Sequence, residues 1–97
     1  VGPVYTDGTR NEPVLLASCY RRALEVARDL NCHSVAFPAI STGIYGYPFE
    51  AATAVALRTV ADFLAAAATP AEVTLIFFSA NDYDVAVDLH ARLAPEP

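Results

Sequence analysis

The sequence has few of the residues that build a covalent or metal-held framework. Its 97 residues include two cysteines, two histidines and four glycines. Cys19 and Cys32 cannot form a multi-disulfide scaffold, and with only two histidines there is no C-x-x-C type zinc pattern. Both thiols read as reduced core residues in a cytosolic setting, and the expectation is a chain that carries no metal or other cofactor. Basic residues are also scarce. Six Lys plus Arg against eleven Asp plus Glu leave a formal charge of -5, so the basic face that a nucleic-acid duplex or an anionic membrane surface requires is missing. No apolar run approaches the roughly 20 residues of a membrane span, and no charged-then-apolar signal segment is visible. These absences predict a soluble, cytoplasmic protein with neither membrane nor duplex nucleic acid as partner.

What is present suits a packed body. Hydrophobic residues make up 55% and charged residues 18% of the chain, which argues against disorder and fits one domain over residues 1–97. Val1–Tyr5 reads as the end of a strand, and Asp7-Gly8 as a turn. Asn11 is placed as an N-cap, with Glu12 in the first helical turn and Pro13 near its start. Leu16, Tyr20, Ala23, Ala27 and Leu30 recur at helical spacing, with Arg21, Arg22, Glu25 and Arg28 outside them. Arg21 and Glu25 have the spacing of an exposed ion pair. Asn31-Cys32-His33 ends this helix, and His33 reads as a solvated loop residue.

Ser34–Ile40 is nearly continuously apolar, as a strand covered on both faces would be, with Pro38 where pairing stops. Phe49 to about Ala68 is an alanine-rich, largely buried helix, ended by Thr69-Pro70. Glu72–Phe78 is a second strand, and Ser79-Ala-Asn-Asp82 has the spacing of a capping box before a last helix with Val85, Leu89 and Leu93 on one side. Strands alternating with helices predict an α/β fold of parallel strands joined by right-handed crossovers, with helices on both faces.

Between the first full strand and the alanine-rich helix runs Phe37-Pro-Ala-Ile-Ser-Thr-Gly-Ile-Tyr-Gly-Tyr-Pro48. Gly43 and Gly46 can take backbone angles closed to other residues, which lets successive N–H groups turn inward as an anion nest at a helix N-terminus. On the residues alone, the loop is either a plain connection or a phosphate site. Ala36–Pro48 resembles the second ligand loop of the macrodomain family, the ADP-ribose-binding domains, and Val1-Gly-Pro-Val-Tyr5 and Ser18-Cys-Tyr-Arg21 resemble that family too. The resemblance implies a three-layer α/β/α sandwich of macrodomain type, of which this chain corresponds to the C-terminal part; the N-terminal part, with an asparagine-rich motif and a first glycine-rich loop, has no counterpart here.

The resemblance also assigns candidate ligand-binding residues: Ser41, Thr42, Gly43, Ile44, Tyr45 and Gly46 around the diphosphate and distal ribose, Phe78 toward the adenine, and Asn81 toward adenine or ribose. Each has a plainer reading. Ser41 and Thr42 can be turn residues, Phe78 a buried strand residue, and Asn81 an ordinary N-terminal helix residue. Of Tyr45 and Tyr47, at most one need face a ligand, and the other would pack under the helix. Tyr5, Cys19 and Tyr20 read as core or wall. No G-x-S-x-G elbow surrounds Ser41, which argues against a serine hydrolase.

The expected ligand is ADP-ribose or a derivative, with an ADP-ribosylated protein as a further partner. The Gly-Ile-Tyr-Gly-Tyr-Pro form of the loop resembles the hydrolase-type branch, which tilts the reading toward an ADP-ribosyl or O-acetyl-ADP-ribose hydrolase. The alternatives are a non-catalytic reader of ADP-ribose and another nucleotide- or phosphate-binding α/β module; the loop lacks a Walker A lysine, which weakens the last. In the family, catalytic water is held by groups of the N-terminal half, so no catalytic residue is assigned and the 97 residues alone are expected to be inactive. Their open sheet edge is expected to be covered by the rest of the domain or by a second chain.

Overall fold

The computed structural model describes residues 6, 7, 10–38, 40, 46–67, 69–77 and 79–93. In chain order the elements are α1 (Glu12–Asp29), β1 (Ser34–Phe37), α2 (Phe49–Ala66), β2 (Glu72–Leu75) and α3 (Ala80–Leu93). β1 and β2 pair in parallel, with Ser34 opposite Glu72 and Phe37 opposite Leu75. α2 is the crossover between them, so the alternation read from the sequence becomes a βαβ unit. α1 packs against α2, and α2 against α3. No helix among the described residues is long and apolar enough to cross a membrane.

The ends of α1 are set by two asparagines in the left-handed region. Asn11 has φ 61° and ψ 21° and makes no side-chain capping bond, which corrects its expected role. It turns the chain, and Asn is among the few residues that tolerate this conformation. The carboxylate of Glu12 reaches back instead, accepting the backbone N–H groups of Thr6 and Asp7 on Oε2 at 2.9 and 3.1 Å, and of Arg10 on Oε1 at 2.7 Å. Glu12 is only 1% exposed, so a residue read as first-turn decoration is a buried anchor for the entering chain. At the other end Asn31 has φ 61°. Its N–H bonds the Arg28 carbonyl, and the Cys32 N–H bonds that of Ala27, both at 2.9 Å. This pair of bonds is a Schellman motif with Asn at its left-handed position.

The core joins α1, β1 and α2 through Leu16, Tyr20, Leu24, Phe37, Tyr47, Ala52, Ala56 and Val60. Leu24, not Leu30, completes the inner stripe of α1. Leu30 sits at the C-cap, where the chain leaves the helical path, and is 72% exposed. On the outer side Arg22 pairs with Glu25 at 3.6 Å in place of Arg21, and Arg28 crosses to α2 with its guanidinium 5.7 Å from the Phe63 ring centroid.

α2 buries one face, through Ala52, Thr53, Ala56 and Val60, while Ala61, Ala65 and Ala66 are exposed. The expectation of a largely buried helix therefore fails. Alanine is favoured for helix propensity and occurs on both faces, so it does not report burial. β1 and β2 are each four residues long, shorter than the apolar runs that contain them. At α3 the Asp82 N–H bonds the Ser79 hydroxyl at 3.1 Å, as the capping-box spacing predicts. Ala86 and Leu89 are buried, and Val85 is half-buried.

Replacing Glu12 by Ala strands three backbone donors at the entry to α1, so urea unfolding should show a loss of about 2 kcal/mol or more. The exposed first-turn residue of α2, Glu50, is the control: Glu50→Ala should change stability by less than about 0.5 kcal/mol.

Candidate functional site

Both strands point their C-terminal ends to one side, and the candidate loop leaves from there. In parallel α/β sheets ligands settle beyond these strand ends, because the crossover loops and helix N-termini converge on them. A recess at this place is lined by Tyr20 from α1, Pro38 and Ile40 after β1, Thr53 and Ala56 from α2, and Leu75, Ile76 and Phe77 at the end of β2. Its walls are mostly apolar, with the Tyr20 and Thr53 side chains supplying buried hydroxyls.

The strand exits are fixed by a few contacts. The Ile76 N–H bonds the Phe37 carbonyl at 2.8 Å, one step past the last paired residues. The Tyr20 hydroxyl donates to the Pro38 carbonyl at 3.5 Å and accepts the Ile40 N–H at 3.3 Å. Its ring meets Phe37 edge-on, with centroids 5.1 Å apart and planes at 67°. Burial raises the Tyr20 pKa above the usual tyrosine value, partly opposed by the hydrogen bond from Ile40. On the other side, Phe49 at the start of α2 meets Phe77 edge-on at 5.8 Å, which ties the α2 N-terminus to the β2 exit.

Of the candidate ligand-binding residues, Gly46 and Asn81 are described. Gly46 has φ +75°, and a Cβ built on it would meet nothing within 4 Å. The demand for glycine here is thus conformational and not spatial. From Gly46 the chain runs through Tyr47 and Pro48 into α2, whose first intrahelical bond joins the Ala52 N–H to the Pro48 carbonyl at 2.9 Å. The N–H groups of Phe49, Glu50 and Ala51 precede that bond at the positive end of the helix. Tyr47 is 4% exposed and belongs to the core, so it is the tyrosine packed under the helix. Asn81 lies in the first turn of α3 and is exposed. Ser41, Thr42, Gly43, Ile44, Tyr45 and Phe78 lie outside the described residues.

Sequence reasoning placed Tyr20 in the core but missed its hydrogen bonds to the strand exit. Its spacing with Leu16 and Leu24 marks burial, while the polar atom at the end of a buried ring was the available signal for a partner.

The described fold is that of an α/β module with parallel strands, and the comparisons specify which one. The Macro domain family model matches residues 1–56, and the chain belongs to the macrodomain family. It is 49% identical over 85 residues to the macro domain-containing protein CT2219 of Chlorobaculum tepidum, covering 88% of this chain and 49% of that protein. It is 46% identical over 83 residues to an O-acetyl-ADP-ribose deacetylase of Cronobacter turicensis, covering 86% of this chain and 47% of that one. The macrodomain of Oceanobacillus iheyensis with ADP superposes with a TM-score of 0.90 at 39% identity, over 96% of this chain and 48% of the other. The chain spans about half the length of the curated relatives it matches.

The left-handed Gly46 yields a stability prediction. Gly46→Val, β-branched and disfavoured at positive φ, should cost about 1–2 kcal/mol, and Gly46→Asn distinctly less, as measured by thermal unfolding. Equal losses would mean that crowding, not backbone conformation, limits this position.

Proposed function

We propose that the chain binds ADP-ribose or a derivative at the C-terminal ends of β1 and β2, with the diphosphate over the 41–46 loop and held by backbone N–H groups. The carrying observation is the left-handed Gly46 leading through Tyr47 and Pro48 into the N-terminus of α2. No Lys or Arg lies between Ser34 and Leu57, so neutral donors must do what a basic side chain would do elsewhere. Backbone amides at a helix N-terminus suit that task, because their dipoles are fixed and already aimed. The ADP bound in the Oceanobacillus structure and the name of the Cronobacter relative support this ligand class.

In this reading residues 1–97 are the C-terminal part of a single macrodomain. Ser41 and Thr42 supply loop amides and hydroxyls, Tyr45 packs by the distal ribose, and Phe78 and Asn81 meet the adenine end. The parent activity is hydrolysis of an ADP-ribosyl or O-acetyl-ADP-ribose ester. The loop orients the diphosphate and supports developing charge, while the groups that place the attacking water belong to the portion of the relatives outside the matched span. Proteins carrying ADP-ribose are the corresponding partners, and the cytoplasm the corresponding compartment.

Titration calorimetry with ADP-ribose, ADP and ATP tests the ligand. ADP-ribose should bind more tightly than ATP, whose third phosphate has no counter-charge on this loop. Preference for ATP would discard the reading. In the same assay Gly43→Val should weaken ADP-ribose binding strongly by blocking close approach, whereas Arg58→Ala should leave it within twofold or so. Equal losses would rule out the backbone cradle. Tyr45→Ala should cost about 1 kcal/mol or more of binding through lost ribose packing, with the far-ultraviolet circular dichroism unchanged.

A further inference from the structure

We infer that Tyr20 is a positioning residue for the loop: its hydroxyl fixes the exit of β1, from which residues 41–46 depart, without itself touching the ligand. This inference rests on the ADP-ribose reading above. The last paired residues of the sheet are Phe37 and Leu75. Beyond them Pro38 offers a carbonyl and no N–H, and Ile40 offers an N–H two residues later. A neighbouring parallel strand would serve both through one residue, whose N–H meets the carbonyl of one partner and whose carbonyl meets the N–H two residues on. The Tyr20 hydroxyl performs both roles with a single oxygen, donating to Pro38 at 3.5 Å and accepting from Ile40 at 3.3 Å. It extends the ladder sideways from a helix.

The hydroxyl can act as a fixed post because its ring cannot swing. Tyr20 is 2% exposed, sits between Leu16 and Leu24 on the inner stripe of α1, and is braced edge-on by Phe37. A tyrosine phenol is protonated at ordinary pH, and burial moves its pKa further up, so donation and acceptance coexist. Ile40 immediately precedes Ser41, and the direction of the chain at Ile40 sets where the following amides start. An error of a few tenths of an ångström there displaces donors that must converge on one diphosphate.

Tyr20→Phe removes one oxygen and keeps the ring. In the full 97-residue chain, amide exchange at Ile40 should accelerate while amides in the middle of α1 and α2 keep their protection. Affinity for ADP-ribose should fall about tenfold, the equivalent of one hydrogen bond's net worth, while affinity for adenosine, which lacks the diphosphate, should not change. Val60→Ala, which thins the core and leaves both Tyr20 and its bracing ring in place, should lower the melting temperature without changing the ratio of the two affinities. Equal losses for ADP-ribose and adenosine in Tyr20→Phe would reduce Tyr20 to a core residue and overturn the proposal, as would unchanged exchange at Ile40. Failure of the unmodified chain to bind ADP-ribose would overturn the functional reading and the proposal with it. Binding with an unchanged ratio would overturn the proposal alone.

Discussion

The contact of the α1 stripe, Leu16, Tyr20 and Leu24, with Phe37 and the inner face of α2 is the constraint on which the remaining geometry rests. The two strands among the described residues, four residues each, contribute few ladder hydrogen bonds, and a pair of strands is marginal without a helix packed on it. Burial of these side chains therefore holds β1 and β2 together and fixes the tilt of α2. Alanines at 52 and 56 let α2 come close. That closeness brings Phe49 onto Phe77 and sets the helix N-terminus beside both strand exits.

Backbone polarity is handled by a few side chains placed where regular pairing ends. Glu12 gathers donors ahead of α1, Ser79 caps α3, and the Tyr20 hydroxyl serves the groups just past β1. Each lies at the junction between an element and a loop, where unmet N–H and C=O groups are most costly. Left-handed residues mark the same junctions: Asn11 before α1, Asn31 after it, and Gly46 before α2. The chain thus changes direction at fixed angles at these junctions.

Much of this was legible in the sequence, for definable reasons. Periodicity located three helices, and runs of apolar residues located two strands, although burial along each described strand alternates instead of covering both faces. The Ser79 cap followed from local chemistry, whereas local chemistry left open which of Tyr45 and Tyr47 packs under the helix. Asn11 was misread because Asn serves equally well as a capping side chain and as a left-handed residue, and only the acceptor chosen by the preceding N–H groups distinguishes them. Leu30 was assigned to the core by spacing that continued past the end of the helix. The extent of α2 burial was overestimated from alanine content. The Glu12 and Tyr20 bonds join residues to backbone groups that no sequence pattern names, and Tyr20 reaches across 20 positions to Ile40.

An anionic ligand at these strand ends would approach a chain whose formal charge is -5, with no Lys or Arg in the loop to draw it in. Long-range attraction therefore contributes little, and the favourable term arises only at contact, where N–H dipoles are effective over roughly one helical turn. Such a site selects by shape. A basic cleft holds any phosphate that reaches it, whereas fixed amides reward only the spacing they were built for and leave a misplaced oxygen next to a desolvated carbonyl. Discrimination among nucleotides then depends on how accurately the strand exit and the helix N-terminus are held relative to each other. In this chain the β1 exit is tied to the core through Tyr20 and Phe37, and the α2 N-terminus is tied to the β2 exit through Phe49 and Phe77.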